Sequence, residues 1–169
     1  MTDHRHARRA LRYLGAAALL GVGIDHLQQY FGASYSFIPT IGTLFALNFA
    51  SAVMIATGLI APVDRLFRRA GNLILGSLAA AGISVAIGSL IALLISEQTP
   101  LFGFMESGYR QAIVISIVLE VATTVLLGAY LADLTRSRRK HRPQATSDST
   151  HGTSPGRRLP ARTIHGEVQ

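Results

Sequence analysis

The chain has 169 residues, of which 49 % are apolar, and a mean hydropathy of +0.35, which suits one domain and is too high for an ordinary soluble protein. Its formal charge of +7 comes from basic residues at the ends of apolar stretches and in the C-terminal segment, a pattern typical of membrane topology and not of a nucleic-acid-binding face. Cysteine is absent, which excludes disulfides, thiol catalysis, iron–sulfur clusters and thiolate zinc sites.

The chain begins with a basic segment, residues 1–10, predicted to be cytoplasmic, and continues into a first apolar span, residues 11–31. A positive segment before about 12 apolar residues also fits a signal peptide. No small-x-small cleavage site follows, however, and the residues from Asp25 to Phe31, most of them polar, are compatible with a helix. We therefore expect an uncleaved first helix with a polar outer end.

Three further apolar stretches have the ~20 residues that a helix needs to cross a hydrocarbon core of ~30 Å. They cover residues 41–61, 72–95 and 111–132. With the first span they predict a transmembrane domain over residues 11–134. Residues 135–169 are rich in Ser, Thr, Pro and Arg and show no apolar periodicity, so we expect a disordered cytoplasmic tail. The predicted fold class is an all-α integral membrane bundle of four transmembrane helices with a disordered basic C-terminal tail.

The third span is rich in small residues at a spacing of four. The pairs are Gly76/Ala80, Ser77/Ala81 and Ser84/Gly88. Small residues at this spacing let a second helix backbone approach closely, which matters because lipid gives helices no hydrophobic reason to associate. Packing within the chain is the simpler interpretation, and a face for a second copy or another membrane protein is the alternative.

The basic residues also predict orientation. All but one of the 16 Lys and Arg residues lie before the first span, between the second and third, or after the fourth, and the exception is Arg110. Because short cationic loops stay in the cytoplasm, we expect both termini on the cytoplasmic side of the plasma membrane. The cluster that follows the fourth span is predicted to attract anionic lipid and consists of Arg136, Arg138, Arg139, Lys140 and Arg142.

One carboxylate, Glu120, lies near the middle of the fourth span. A charge at this depth costs at least ~2.5 kcal/mol on insertion scales, so we expect Glu120 to be protonated, partnered or facing a wet cavity. Ser116 and Thr124 lie one helical turn away on the same face. Asp25, His26 and Asn48 lie at similar depths, about 8–10 Å below the outer helix ends, against about 14 Å for Glu120.

These polar residues of the outer half are candidates for ligand binding or proton handling: Asp25, His26, Asn48, Ser116, Glu120 and Thr124. Each also has a structural interpretation. Glu120 could join helices as a protonated or hydrogen-bonded residue, and Asn48 could form an interhelical hydrogen bond. Asp25 and His26 lie close enough to the interface to be simply hydrated. No catalytic residue is assigned.

A metal site is disfavoured, although one histidine and two carboxylates from different helices would suit a hard cation or iron. The spans contain no H-x-x-H, E-x-x-H or cysteine pattern, and the other five histidines lie in the terminal segments. The glycines lie inside the spans and match no phosphate loop or dinucleotide fingerprint. We therefore predict no metal and no nucleic-acid partner.

Part of the sequence resembles a recurrent pattern in small four-helix integral membrane proteins of actinobacteria. The pattern is carried by Asp25-His26-Leu27, then Tyr35, then I-P-T-I-G-T-L-F-A-L-N at residues 38–48. The likeness covers residues 10–62 and implies a family and a layout but no activity. The four-span plan is also similar, in architecture only, to DoxX-like proteins, some of which are linked to quinone-dependent oxidation of sulfur compounds.

Two hypotheses of function follow. The first is a non-enzymatic accessory or scaffolding membrane protein with a polar pocket, associating with a membrane protein partner or with its own copies. The second is a DoxX-like redox-accessory subunit that binds quinone or relays a proton, with Glu120 as proton acceptor and His26 as hydrogen-bond donor. A minimal transporter is disfavoured because the spans show no internal repeat and no proline in mid-membrane.

Overall fold

The computed structural model describes residues 2–32, 37–67, 70–99 and 111–140. All regular structure in these ranges is α-helical. The helices are α1 (Thr2–Gly32), α2 (Pro39–Ile60), the short α3 (Val63–Leu66), α4 (Gly71–Gln98) and α5 (Gln111–Lys140). The fold is therefore an all-α bundle of four long helices.

Prolines delimit α2. Pro39 is its first residue, where the missing N–H needs no helical partner, and the Thr43 hydroxyl donates to the Pro39 carbonyl at 2.6 Å. At the other end the Ala61 N–H donates to the Thr57 carbonyl at 2.9 Å, and Pro62 follows. These bounds differ from the predicted span 41–61 by one or two residues.

α1 and α5 both extend beyond the predicted spans. α1 starts at Thr2, well before residue 11, and α5 stays helical to Lys140, beyond residue 132. Contacts between the two extensions explain the extra turns, because Arg8 donates to Asp133 and to Ser137, each at 2.5 Å. The predicted disordered tail therefore begins inside α5, and residues 141–169 lie outside the described part of the chain.

Three helices are long and apolar enough to cross a membrane: Pro39–Ile60, Gly71–Gln98 and Ile113–Ser137. The chain thus has the features of a multi-pass membrane protein. α1 does not reach the same apolar content because its 31 residues include four arginines near one end and Asp25, His26, Gln28 and Gln29 near the other. Its role as a fourth span stays a prediction.

The four long helices pack as a ring in which α1 and α4 lie diagonally opposite each other. α1 contacts α2 and α5, and α4 contacts both α2 and α5. The core at these contacts is built from fully buried side chains, among them Leu19, Leu59 and Leu127. Most large exposed side chains are apolar, such as Met54 at 73 % and Val125 at 63 % exposed, which is the surface expected for a protein surrounded by lipid.

The small residues of α4 divide between core and surface. A Cβ at Gly76 would lie 3.4 Å from Leu134 of α5, so Gly76 does serve packing within the chain. Ser77, Ala81 and Ser84 are exposed. The predicted packing role of these three residues is therefore wrong within this chain, because their helix face points away from the other helices.

Candidate functional site

A cavity of about 230 Å³ lies between α1, α2, α4 and α5. Its wall combines apolar side chains with a smaller number of polar ones, the usual composition of a small-molecule site. The residues that line it are His26, Gln29, Ile41, Leu44, Phe45, Asn48, Gly88, Ser89, Ala92, Leu93, Ser96, Ile113, Ser116 and Glu120.

One polar cluster joins α1 to α5 at the edge of this cavity. The Gln29 amide donates to Asp25 at 2.7 Å and to the Ser116 hydroxyl at 3.2 Å, and Ser116 donates to the same Asp25 oxygen. Asp25 and Gln29 are neighbours because they lie four residues apart on α1. The buried carboxylate of Asp25 therefore has two donors, one of them on another helix.

A second polar chain crosses three helices. The His26 ring nitrogen Nδ1 lies 2.9 Å from the Val22 carbonyl, and Nε2 lies 2.9 Å from the Ser89 hydroxyl of α4. The Glu120 side chain of α5 lies within hydrogen-bonding range of the same Ser89. His26 stacks obliquely on Phe45 of α2, with ring centroids 5.0 Å apart.

Hydrogen counting limits how this chain can be protonated. The Val22 carbonyl can only accept, so Nδ1 of His26 carries a hydrogen, and the Ser89 hydroxyl has one hydrogen to give. If His26 is neutral, Ser89 donates to its Nε2 and must accept from a protonated Glu120. If His26 is doubly protonated, it donates to Ser89, which then donates to a Glu120 carboxylate. With Ser89 bonded to both partners, either arrangement shares one proton between Glu120 and His26 and leaves the pair without net charge.

Two residues that line the cavity each have one buried side-chain oxygen without a hydrogen-bond partner among the described residues. These oxygens are Oε2 of Glu120, whose residue is 1 % exposed, and Oδ1 of Asn48. Oε2 acts as an acceptor in both arrangements of the proton described above. A buried oxygen without a donor costs ~1–3 kcal/mol, so this part of the wall is complementary to a molecule that carries a hydrogen-bond donor.

The cavity reaches the outer surface of the bundle between α2 and α4. Leu44 and Gly88 both line it and are both exposed. Gly88 lies ten residues before the end of α4, about 15 Å along the helix axis. The exposed part of the cavity wall at Gly88 is therefore on the side of the bundle, away from the end of α4. A Cβ added at Gly88 would meet no atom within 4 Å.

The structure brings most of the predicted site residues together. Asp25 and Ser116 are in direct contact, His26 and Glu120 are joined through Ser89, and Asn48 lines the same cavity. Thr124 is elsewhere: its hydroxyl donates to the Glu120 backbone carbonyl at 2.8 Å, a bond within α5. In the described part of the chain, no three His, Asp or Glu side chains form a group that could hold a metal ion.

Sequence reasoning did not single out Ser89, the residue that connects His26 to Glu120. Its signal is weak because Ser89 is one of several small residues in α4, and only the packing of three helices distinguishes it. Comparison with protein-family models, curated proteins and solved structures gave no match.

Proposed function

We propose that this chain is an accessory or scaffolding membrane protein whose cavity binds a small, largely apolar molecule with a hydrogen-bond donor. The observation that carries the proposal is Glu120, a residue of the cavity wall whose buried Oε2 has no donor among the described residues. A ligand hydroxyl or amine that reached this oxygen would remove the energetic cost of burying it without a donor, while the apolar part of the ligand contacts Phe45 and Ile113.

The membrane setting supports the same proposal. We place α1 as the fourth span, with both termini cytoplasmic in the plasma membrane, because the basic residues flank the helix ends that this arrangement puts inside. The cavity then lies in the outer half of the bundle. Its side opening at Gly88 would admit a molecule from the bilayer, which fits an apolar ligand.

The scaffolding part of the proposal rests on the exposed small residues of α4. Ser77, Ala81 and Ser84 present a face on which another helix could approach closely. We propose that this face contacts a membrane protein partner or a second copy of the chain. The actinobacterial four-helix proteins that the sequence resembles are the family we propose for it.

Native mass spectrometry of the full chain, extracted from its own membrane, tests the ligand. The variant Gly88→Leu adds a side chain at an exposed position of the cavity wall whose Cβ would meet no atom within 4 Å. Gly128→Leu is its matched control because a Cβ at Gly128 of α5 is equally free and Gly128 does not line the cavity. We expect a stoichiometric small molecule on the wild type and on Gly128→Leu, and its loss from Gly88→Leu. A wild type that carries no small molecule, or equal occupancy in both variants, would contradict the proposal.

A second candidate function is favoured by the chain that joins Glu120, Ser89 and His26. Because one proton has two positions along it, the chain is suited to proton relay in a DoxX-like redox-accessory subunit that binds quinone. The hydroxyls of the reduced form, a quinol, are donors of the kind that Oε2 of Glu120 lacks.

Ser89→Ala separates this candidate from simple binding, because it breaks the relay and barely changes the cavity. Ser84→Ala is the control, since Ser84 is exposed on the same helix and, among the described residues, its hydroxyl bonds only to the Ala80 carbonyl. We expect a quinone in the lipid extract of both purified variants. When a soluble electron acceptor is added to take the two electrons of the quinol, we expect a loss of proton release in Ser89→Ala alone. A bound molecule other than a quinone would rule the candidate out.

A further inference from the structure

A second cavity, of about 180 Å³, lies at the other end of α1, where the first turns of that helix meet α3, the start of α4 and the end of α5. Arg12 and His26 are 14 residues apart, so the two cavities are separated by about 20 Å along α1. The residues that line the second cavity are Arg5, Arg8, Arg9, Arg12, Asp64, Asn72, Leu75 and Tyr130.

The four arginines of this wall repel one another. Arg5 and Arg9 lie four residues apart on α1, as do Arg8 and Arg12, a spacing at which like charges destabilise a helix. Two carboxylates oppose them: Asp133 pairs with Arg8 at 2.5 Å, and Asp64 lies 3.8 Å from Arg12. Among the side chains that the structure describes, Arg5 and Arg9 have no carboxylate within 4 Å, so about two positive charges stay uncompensated.

Arg12 is the buried member of the set. It is 6 % exposed, and its Nη2 donates to the Tyr13 hydroxyl at 2.9 Å. Its Nε is buried and has no partner in the described part of the chain. A guanidinium N–H without an acceptor is costly in such a place, so the wall lacks an acceptor at the position where it has excess positive charge.

We propose that this cavity binds a phosphate group. Arginine is the side chain best matched to phosphate because its planar fork donates two parallel hydrogen bonds to two oxygens. A phosphate monoester carries about −1.5 to −2 charges, close to the excess in the wall. The Asn72 amide is a further donor, and the single carboxylate of the wall, Asp64, is 45 % exposed and already lies beside Arg12.

The phosphate could belong to a phospholipid headgroup or to a soluble phosphate compound. At ~30 Å³ per water, the cavity has room for about six waters, enough for either group. The inference is independent of the proposed function because no residue lines both cavities.

The test uses the purified full chain and two probes. Inorganic phosphate is titrated into the detergent-solubilised protein by calorimetry. In parallel, the protein is reconstituted into phosphatidylcholine nanodiscs that contain a minor fraction of phosphatidic acid, and retained lipid is counted by native mass spectrometry.

Arg9→Gln is the main variant because Arg9 is exposed and unpaired among the described residues, so its loss should not affect folding. Arg136→Gln, an exposed arginine of α5 outside the cavity, removes the same charge and is the control for the inorganic-phosphate titration, since Arg136 belongs to the cluster predicted to attract anionic lipid.

We expect one saturable phosphate site, weakened about tenfold in Arg9→Gln and less than about twofold in Arg136→Gln, since a charged hydrogen bond is lost only in the first. Arg12→Gln should abolish the site, and if that variant fails to fold, Arg9→Gln still decides. Saturation by inorganic phosphate identifies a soluble ligand, whereas retention of phosphatidic acid alone identifies a lipid. Lack of saturation by both probes, or equal effects of Arg9→Gln and Arg136→Gln, overturns the proposal.

Discussion

Gly82 and Gly88 lie in the same helix, and alanine at the two positions should affect the free energy of unfolding differently. A Cβ at Gly82 would lie 2.8 Å from Cδ1 of Leu127 and 3.2 Å from Cδ2 of Leu19, whereas a Cβ at Gly88 meets no atom within 4 Å. Leu127 cannot move aside because its other methyl, Cδ2, already occupies the space above Gly15, and the whole residue is buried.

The expected size of the difference follows from two terms. Replacing glycine by alanine inside a helix stabilises it by about 0.8–1 kcal/mol, and this gain is common to Gly82→Ala and Gly88→Ala. Inserting a methyl into a filled core costs ~1–3 kcal/mol, which applies only at Gly82. Since the common gain cancels, we expect Gly82→Ala to be less stable than Gly88→Ala by ~1–3 kcal/mol.

Reversible unfolding of the detergent-solubilised full chain, followed by far-UV circular dichroism, measures this difference. Leu127→Ala supplies the control background, because it removes the methyl nearest to Gly82 and should narrow the stability difference between the two glycine variants. Equal stability of Gly82→Ala and Gly88→Ala in the wild-type background would show that α4 and α5 do not pack as described.

Three further predictions use the same unfolding assay. Leu127→Ala truncates a side chain that is 0 % exposed and should lower the free energy of unfolding by ~2–5 kcal/mol. Leu73→Ala, at 59 % exposure, should lower it much less, and similar losses in the two variants would contradict the burial pattern. Ser116→Ala should lower the free energy of unfolding by ~1–3 kcal/mol because the buried carboxylate of Asp25 loses a donor, and an unchanged free energy would exclude that contact. Asp133→Asn should lose at most ~1 kcal/mol, since Arg8 and Asp133 are both part-exposed, and raising the salt concentration should shrink the loss.

Helix limits were predictable where the chain carries a local signal. Pro39 and Pro62 bracket α2 because proline fits a first helical turn and interrupts a later one. No such signal marks residue 11 or residue 132, where apolar character fades while the helices continue. Their extension depends on Arg8 reaching Asp133, a contact between residues 125 positions apart.

The candidate site could be predicted in part, because depth along a helix follows from residue counting alone. Counting placed Asp25, His26 and Glu120 at similar heights, and the structure has them in one polar region. Their connections needed more than counting, since they depend on which faces of α1, α4 and α5 meet. Ser89 was missed and Thr124 was included for this reason.

The contact between Asp25 of α1 and Ser116 of α5 has a consequence for biogenesis. α5 is the last described helix that the ribosome completes, so Asp25 and Gln29 leave the ribosome long before their partner exists. During that interval the polar outer end of α1 lacks its partner on α5, so the helix should insert poorly or only transiently. In the topology that we propose, a chain that stops after α4 should therefore leave α1 accessible to protease from the cytoplasm, and synthesis of α5 should protect it.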